Sequence, residues 1–334
     1  MKEYPNMYKN FIVLEENRLD KFLTMNIEAS RNQIEQLIKK EFVKVDGKTI
    51  TKGGTKLKVN QNIEVELPEA TFDNVKDEEF LKESLKDKEV ETIYEDEHIL
   101  VINKPYNLTV HDAPSVKDAT LVDWLKLKNI SLSTISGEER HGIVHRLDKG
   151  TSGVMVVAKT NEAHINLSKQ LEDKSMGRYY LAIIDLPLKE DTIIEKPIGR
   201  NPNNRLKMAI IENARAAKSA FSKIALSKNE KNELIACKLF TGRTHQIRVH
   251  LSSINRHILG DNLYGFKGEL NKINRFFLHA YILYLIHPIT NKKMSFRAKL
   301  SEDMHQYLTE NFYMESIDDK IDENNITNNF SFTN

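Results

Sequence analysis

The densest group of residues able to do chemistry is His141-Gly-Ile-Val-His145-Arg146-Leu147-Asp148-Lys149-Gly150-Thr151-Ser152-Gly153. An apolar pair, then Arg and Asp, then glycines ahead of the apolar run Val154–Ala158, describes a carboxylate on a tight loop beside a sheet. Such a carboxylate can act as a nucleophile or a general base. The alternative is an Asp that caps a turn, with Arg146 as its ion-pair partner. His145 to Asp148 resembles the catalytic loop of protein kinases, but no glycine-rich loop precedes it and no Asp-Phe-Gly follows. Gly150 to Lys159 lacks the Gly-Lys-Ser/Thr ending of a phosphate loop. His141 and His145 have the spacing of zinc ligands on a helix, yet Gly142 and the β-branched pair Ile143-Val144 disfavour a helix there. No metal site is expected.

A second constellation runs from Thr241 to His250 as TGRTHQIRVH. Gly242 makes a turn into a helix that Thr244 is expected to cap. On that helix His245, Arg248 and Ser252 share a polar face beside the stripe Ile247, Leu251 and Ile254. Arg248 is therefore held on a rigid element and can point into a cleft. A third piece, Arg178-Tyr179-Tyr180-Leu181-Ala182, alternates so that Arg178 and Tyr180 lie on one face of a strand. A tyrosine in a strand is commonly a core or interface residue.

The elements that must position these groups fall into two patterns. Over residues 1–70, Leu19, Phe22 and Leu23 have helical spacing, and Ser30 with Gln33 signals a capping box before the stripe Ile34, Leu37, Ile38 and Phe42. Val43 and Val45 alternate into an Asp46-Gly47 turn, and Ile63, Val65 and Leu67 alternate again. This is a small α+β unit. Residues 71–92 are charged and poor in apolar side chains, as a solvated, partly helical acidic linker is. From about Ile93 to Phe312 apolar runs at Ile99–Ile102, Val154–Ala158, Tyr179–Ile184 and Phe276–Ile286 read as strands, with Ile235, Cys237 and Leu239 alternating. Helices are expected after Thr160 (Ala163, Leu167, Leu171 inward) and after Thr244. The class is α+β rather than a βαβ repeat. The Asn-rich acidic tail, residues 313–334, is expected to be disordered.

At 334 residues the chain is long enough for two domains, and its 40% hydrophobic and 29% charged content is ordinary for a globular protein. No apolar run approaches a membrane span, and the first residues have no apolar signal core, so a cytoplasmic protein without a membrane partner is expected. One cysteine, Cys237, leaves no disulfide and no thiolate zinc site. The formal charge of +1 hides a strong asymmetry. Residues 201–300 hold 18 Lys and Arg against 5 Asp and Glu, while 71–100 and 301–334 are each acidic. The basic block predicts a cationic surface on one folded domain, suited to a nucleic acid.

Together these motifs resemble the pseudouridine synthases of the RluA type. The resemblance runs in order through NKP (Asn103–Pro105), HRLD with TSG, RYYLA, TGRTHQIRVH, Gly260-Asp261 with Tyr264-Gly265, and Leu278-His-Ala280 followed by His287-Pro288. It covers about two-thirds of the chain. The first 70 residues resemble the RNA-binding module named after small-subunit ribosomal protein four, through RLDKFL, SRNQIEQLIKK and VKVDGK. Phe42 stands where that module usually has Gly, and Asp46 where it often has Asn. The resemblance implies a mixed, mainly antiparallel sheet with flanking helices, and a two-domain enzyme that isomerises uridine to pseudouridine in RNA without a cofactor. It implies Asp148 as the essential carboxylate, Arg248 as its pairing cation, and Tyr180 as the residue packed against the target uracil. Arg146 matches the residue that takes the place vacated by the extruded base, and Leu278 the apolar wall under it. Arg243 and His245 in the catalytic domain, and Arg31, Lys39 and Lys40 in the first, are the expected RNA-binding groups. Asn107 replaces a usual Gly, and Arg178 a usual Lys. The expected partner is ribosomal RNA, 23S first, free or in a ribosome precursor particle, acted on by a monomer. A tRNA enzyme and a catalytically inactive ribosome-assembly factor are the alternatives.

Overall fold

A computed structural model describes residues 7–27, 31–67, 78–112, 116–133, 141–265, 273 and 275–333. The chain divides into two compact units, Met1–Asp77 and Glu78–Asn334. In the first, strand β1 (Met7–Ile12) is followed by β2 (Asn17–Arg18), helices α1 (Leu19–Asn26) and α2 (Arg31–Lys39), and strands β3 (Val43–Val45), β4 (Lys48–Thr49), β5 (Lys56–Leu57) and β6 (Asn62–Leu67). The antiparallel sheet has the order β1-β6-β3-β4, and β2 pairs with β5. Leu19 and Leu23 of α1 bury against Ile34 and Ile38 of α2 and against Val43, Ile63 and Val65 of the sheet. Asp46 and Gly47 both have positive φ, 50° and 75°, as a two-residue hairpin with the right-handed twist of its strands requires. Asp46 also accepts bonds from the Asn62 N–H and the Gln61 side chain, which suits an aspartate at this corner. Ser30 of the expected capping box lies outside the described residues.

The second unit begins with α3 (Glu78–Leu85), then β7 (Glu91–Glu95), β8 (Ile99–Lys104), α4 (Leu121–Leu127), β9 (Ser152–Ala158), α5 (Asn161–Asp173) and β10 (Gly177–Ile184). It continues with β11 (Thr192–Glu195), β12 (Ile198–Arg200), β13 (Met208–Ile210), β14 (Lys218–Leu226), β15 (Glu233–Leu239) and α6 (Gln246–Ser252). Strands β16 (Leu278–Ile286) and β17 (Lys293–Arg297), helices α7 (Glu302–Asn311), α8 (Glu315–Asp318) and α9 (Glu323–Asn328), and a 3₁₀ turn at Ser331–Thr333 complete it. The main sheet has the order β11-β14-β15-β10-β16-β9-β8-β7, with β17 added to the far half of β16. Every pairing is antiparallel except β16 with β9, so the architecture is α+β with a mainly antiparallel sheet. Alternation along β10 divides two cores. Tyr180, Ala182 and Ile184 face the one covered by α4 and α5, whereas Tyr179, Leu181 and Ile183 face the one covered by α7 to α9. A strand buried on both faces reads as a continuous apolar run, which is why Tyr179–Ile184 stands out in the sequence.

Two expectations need correction. Just over a third of the stretch expected to be a linker is α3, whose Leu85 enters the core of the second unit; residues 71–77 lie outside the described residues. The tail expected to be disordered is folded. Ile317, Ile321, Ile326 and Phe330 are 0%, 7%, 0% and 1% exposed, and the Phe330 ring stacks on Tyr179 with centroids 5.4 Å apart. Composition averaged over the segment conceals four apolar residues spaced at about one helical turn, with the Asp, Glu and Asn turned outward.

Asp96, at the β7–β8 turn, accepts bonds from the Ile99 and His98 N–H groups, the Tyr94 hydroxyl and His287 Nε2. Burial pushes its pKa up, and these donors outweigh burial and bring it down from 3.8 to about 2. A depressed carboxylate stabilises the fold above its unfolded pKa, and the contribution disappears as pH falls through the folded value. Asp96→Asn is therefore expected to cost about 2 kcal/mol at pH 7. Urea melts of the variant and wild type should converge towards pH 2; equal stability at pH 7 would contradict this account.

Candidate active site

Asp148 lies half-buried on the loop between the His141–Gly142 turn and β9. Its carbonyl accepts the Thr151 N–H at 3.0 Å, closing the turn that the glycines allow. Gly150 packs against the Phe276 ring, where a Cβ would come within 2.6 Å of Cε1. Gly153 has φ +116° and sits against the backbone of Ala280, where β9 and β16 run parallel. From below, the fully buried Lys104 of the NKP turn bonds the Pro105 and Leu108 carbonyls at 2.8 Å and reaches the Lys149 carbonyl at 3.5 Å. Burial, with Arg275 nearby, lowers the Lys104 amine to about 7. The loop is thus fixed by the Lys104 amine beneath it and a strand beside it.

Arg248 reaches this loop from α6. Its Nη1 is 3.2 Å from Asp148 Oδ2, while Nε and Nη2 grip Asp261 at 2.7 and 2.8 Å. The guanidinium lies between the rings of Phe276 and Tyr264, 4.3 and 4.9 Å from their centroids. Burial alone would lower its pKa, but the bonds and charges of Asp261 and Asp148 raise it, so the cation is firmly held. Asp261 is itself fixed by the Leu263 and Tyr264 N–H groups. Thr244 does not cap this helix. His245 occupies that position in the left-handed conformation, φ 56°, without a side-chain cap bond. That conformation turns the His245 ring inward. Nδ1 bonds the Tyr264 hydroxyl at 2.8 Å, Nε2 lies 3.9 Å from Asp148, and burial lowers the pKa.

Tyr180 comes from β10 and is 4% exposed. Where β10 meets β16, the register shifts between Tyr179 and Tyr180, so Tyr281 is an extra residue and Tyr180 faces Ala280. Such a bulge re-aims the side chains around it. Burial raises the Tyr180 pKa, which keeps the phenol neutral at pH 7. Asp148, Arg146, Tyr180, Arg248, Leu278 and Arg243 all line one cleft of about 590 Å³. His245 borders it as well. Leu278 is 4% exposed at the start of β16, Arg243 bonds the Ala216 carbonyl, and Arg146 bonds His111 Nε2 at 3.2 Å. His145 has Val156 N–H at Nε2 and Arg178 at Nδ1, so both ring nitrogens are engaged.

The residue types read from sequence miss the clamp around Arg248. Asp261 and Tyr264 sit in motifs to which no role could be given, and Phe276 carries no sequence signal. Lys39 and Lys40 are exposed at the end of α2 in the first unit. The Arg31 side chain lies outside the described residues.

Comparison with known proteins bears on the same residues. A family model described as RNA pseudouridylate synthase matches residues 98–253, which contain Asp148, Tyr180 and Arg248, and the S4 domain model matches 17–63. An uncharacterized RNA pseudouridine synthase of Helicobacter pylori is 48% identical over 97% of this chain and 99% of its own. This chain belongs to the RNA pseudouridine synthase family. As an RNA pseudouridine synthase it is an isomerase that acts on uridine in RNA. Ribosomal large subunit pseudouridine synthase D of Zymomonas mobilis is 41% identical over 66% of this chain and 72% of that enzyme. The solved structure of human RNA pseudouridylate synthase domain containing 1 shares the fold, with a TM-score of 0.54 at 23% identity over 65% of this chain and 86% of that one. The isomerisation breaks the bond from ribose C1′ to N1, turns the uracil and joins C5 to C1′, with the C5 proton released and N1 taking up a proton. A pseudouridine synthase therefore needs a pocket that admits an extruded base, since the reacting atoms are out of reach in a stacked helix.

Proposed function

We propose that this pseudouridine synthase modifies 23S rRNA in the bacterial cytoplasm, with Asp148 as the catalytic carboxylate. The observation that carries the assignment is the 3.2 Å contact between Asp148 and a doubly anchored Arg248, in a cleft that also holds Tyr180. The guanidinium fixes the orientation of the carboxylate and balances its charge among RNA phosphates. Whether the carboxylate adds to ribose C1′, adds to uracil, or takes a ribose proton on the way to a glycal, it must stand at the glycosidic bond. Tyr180, a neutral phenol, forms the wall against which the uracil packs, with Leu278 on the other side. Arg146 fills the place the base leaves, and Arg243, with the basic block around it, holds the backbone. Lys39 and Lys40 of the first unit add a separate grip on RNA, consistent with the S4 match.

The choice of 23S rRNA is supported by the large-subunit enzymes of Zymomonas mobilis, Nitrosomonas europaea and Pseudomonas aeruginosa, which are 38–41% identical over about two-thirds of this chain. The test uses transcripts of 23S, 16S and transfer RNA labelled with tritium at uracil C5. The full-length monomer is expected to release tritium from the 23S transcript. Release from tRNA alone would move the substrate, and a protein inert on all three would sink the enzymatic reading.

A further inference from the structure

Among the described residues of the second unit, three arginines are buried: Arg178, Arg248 and Arg275. Arg248 has Asp261 and Asp148, and Arg275 has Asp303 at 3.5 Å. Arg178, 9% exposed, has no carboxylate within 4 Å among the described residues, and its Nε has no hydrogen-bond partner. Its one polar contact among the described residues is Nη1 to His145 Nδ1 at 2.9 Å. That contact does not balance the charge. Burial, with Arg178 nearby, holds His145 far below its usual pKa, so the ring is neutral and has a single lone pair. The Val156 N–H at 3.1 Å from Nε2 competes for it. Two donors face one acceptor, and a buried cation lacks an anion, an arrangement that costs stability unless a ligand completes it.

The position of Arg178 says what the ligand is. It lies two residues before Tyr180 on the same face of β10 and lines the same cleft. The exposed Gly242 turn passes beside it, with a Cβ there in van der Waals contact with Nη2 at 3.4 Å. Resting on the reading of this cleft as the uridine pocket, we propose that Arg178 receives a phosphate flanking the extruded uridine. A planar fork with free donors matches two phosphate oxygens, and a backbone phosphate fixes register without reading sequence.

The test uses the full chain and its Arg178→Lys and Arg178→Gln variants. Melting temperature is measured with uridine, uridine 5′-monophosphate and uridine 3′-monophosphate. One of the two nucleotides should protect the wild type more than uridine does, and which one identifies the 5′ or 3′ phosphate. Arg178→Lys should keep part of this increment and Arg178→Gln should lose it, while the ligand-free Gln variant melts no lower than wild type. On tritium-labelled RNA, Arg178→Gln should raise KM about tenfold with little change in kcat, and reduce the salt dependence of binding by about one phosphate. Equal protection by uridine and both nucleotides in the wild type, or an increment that survives in Arg178→Gln, would overturn the proposal. So would a Gln variant that melts well below wild type and loses kcat alone, since that marks a structural role. A wild type that shows the phosphate increment but releases no tritium from any RNA would refute the enzymatic reading instead.

Discussion

Asp148→Asn abolishes tritium release, with an expected loss on the order of 10⁴-fold or more in kcat, while the protein stays folded. The amide keeps the shape of the carboxylate but can neither add to an electrophilic carbon nor take a proton at pH 7. The fold survives because Arg248 keeps its bidentate grip on Asp261, and because the loop is held by Lys104, Gly150 and Gly153 rather than by the Asp148 side chain. RNA affinity should be unchanged or tighter, since one negative charge leaves a cleft that receives phosphates. Melting temperature, RNA binding and single-turnover release, measured on the same preparation, separate these effects. Turnover within tenfold of wild type would remove Asp148 from the chemistry.

Arg248 gives the second large effect, and its two simplest substitutions fail differently. Arg248→Ala strands Asp261, whose residue is 2% exposed, as a buried carboxylate without its cation. Breaking a buried pair in this way costs about 3–5 kcal/mol, so the variant should melt markedly lower and express poorly. Arg248→Lys keeps the charge but can no longer span Asp261 and Asp148 at once, nor stack between Phe276 and Tyr264. It should fold, bind RNA with near-normal KM, and lose about 10²-fold in kcat through misplacement of Asp148. If Arg248→Lys turns over like wild type, charge alone matters at this position and the double anchoring has no catalytic consequence.

The contrast between Arg248 and its clamp shows what could be read from the sequence. Helical spacing places Arg248 on the polar side of Ile247 and Leu251, and that much follows from the order of residues. The anchoring by Asp261, 13 residues on, and by Phe276, 28 residues on, depends on loop paths that leave no periodic trace. Strands buried on both faces, such as β9 and β10, were visible as unbroken apolar runs. The bulge opposite Tyr180 was not, since an extra residue on a neighbouring strand changes no local pattern. The Thr244 cap failed because the turn after Gly242 carries one more residue than a simple cap needs, leaving His245 in the left-handed region. The tail failed for the opposite reason. Its acidic and Asn-rich average masked four well-spaced core residues, and tertiary burial overrode composition.

That tail also sets when the sheet can finish packing. Phe330 stacks on Tyr179, the neighbour of Tyr180, and Ile317, Ile321 and Ile326 close the core beneath β10 and β15. During synthesis the strands that carry the cleft leave the ribosome well before these residues do, and they wait with one face of the sheet uncovered. The face of the sheet opposite the cleft therefore completes its packing only after Phe330 has been made.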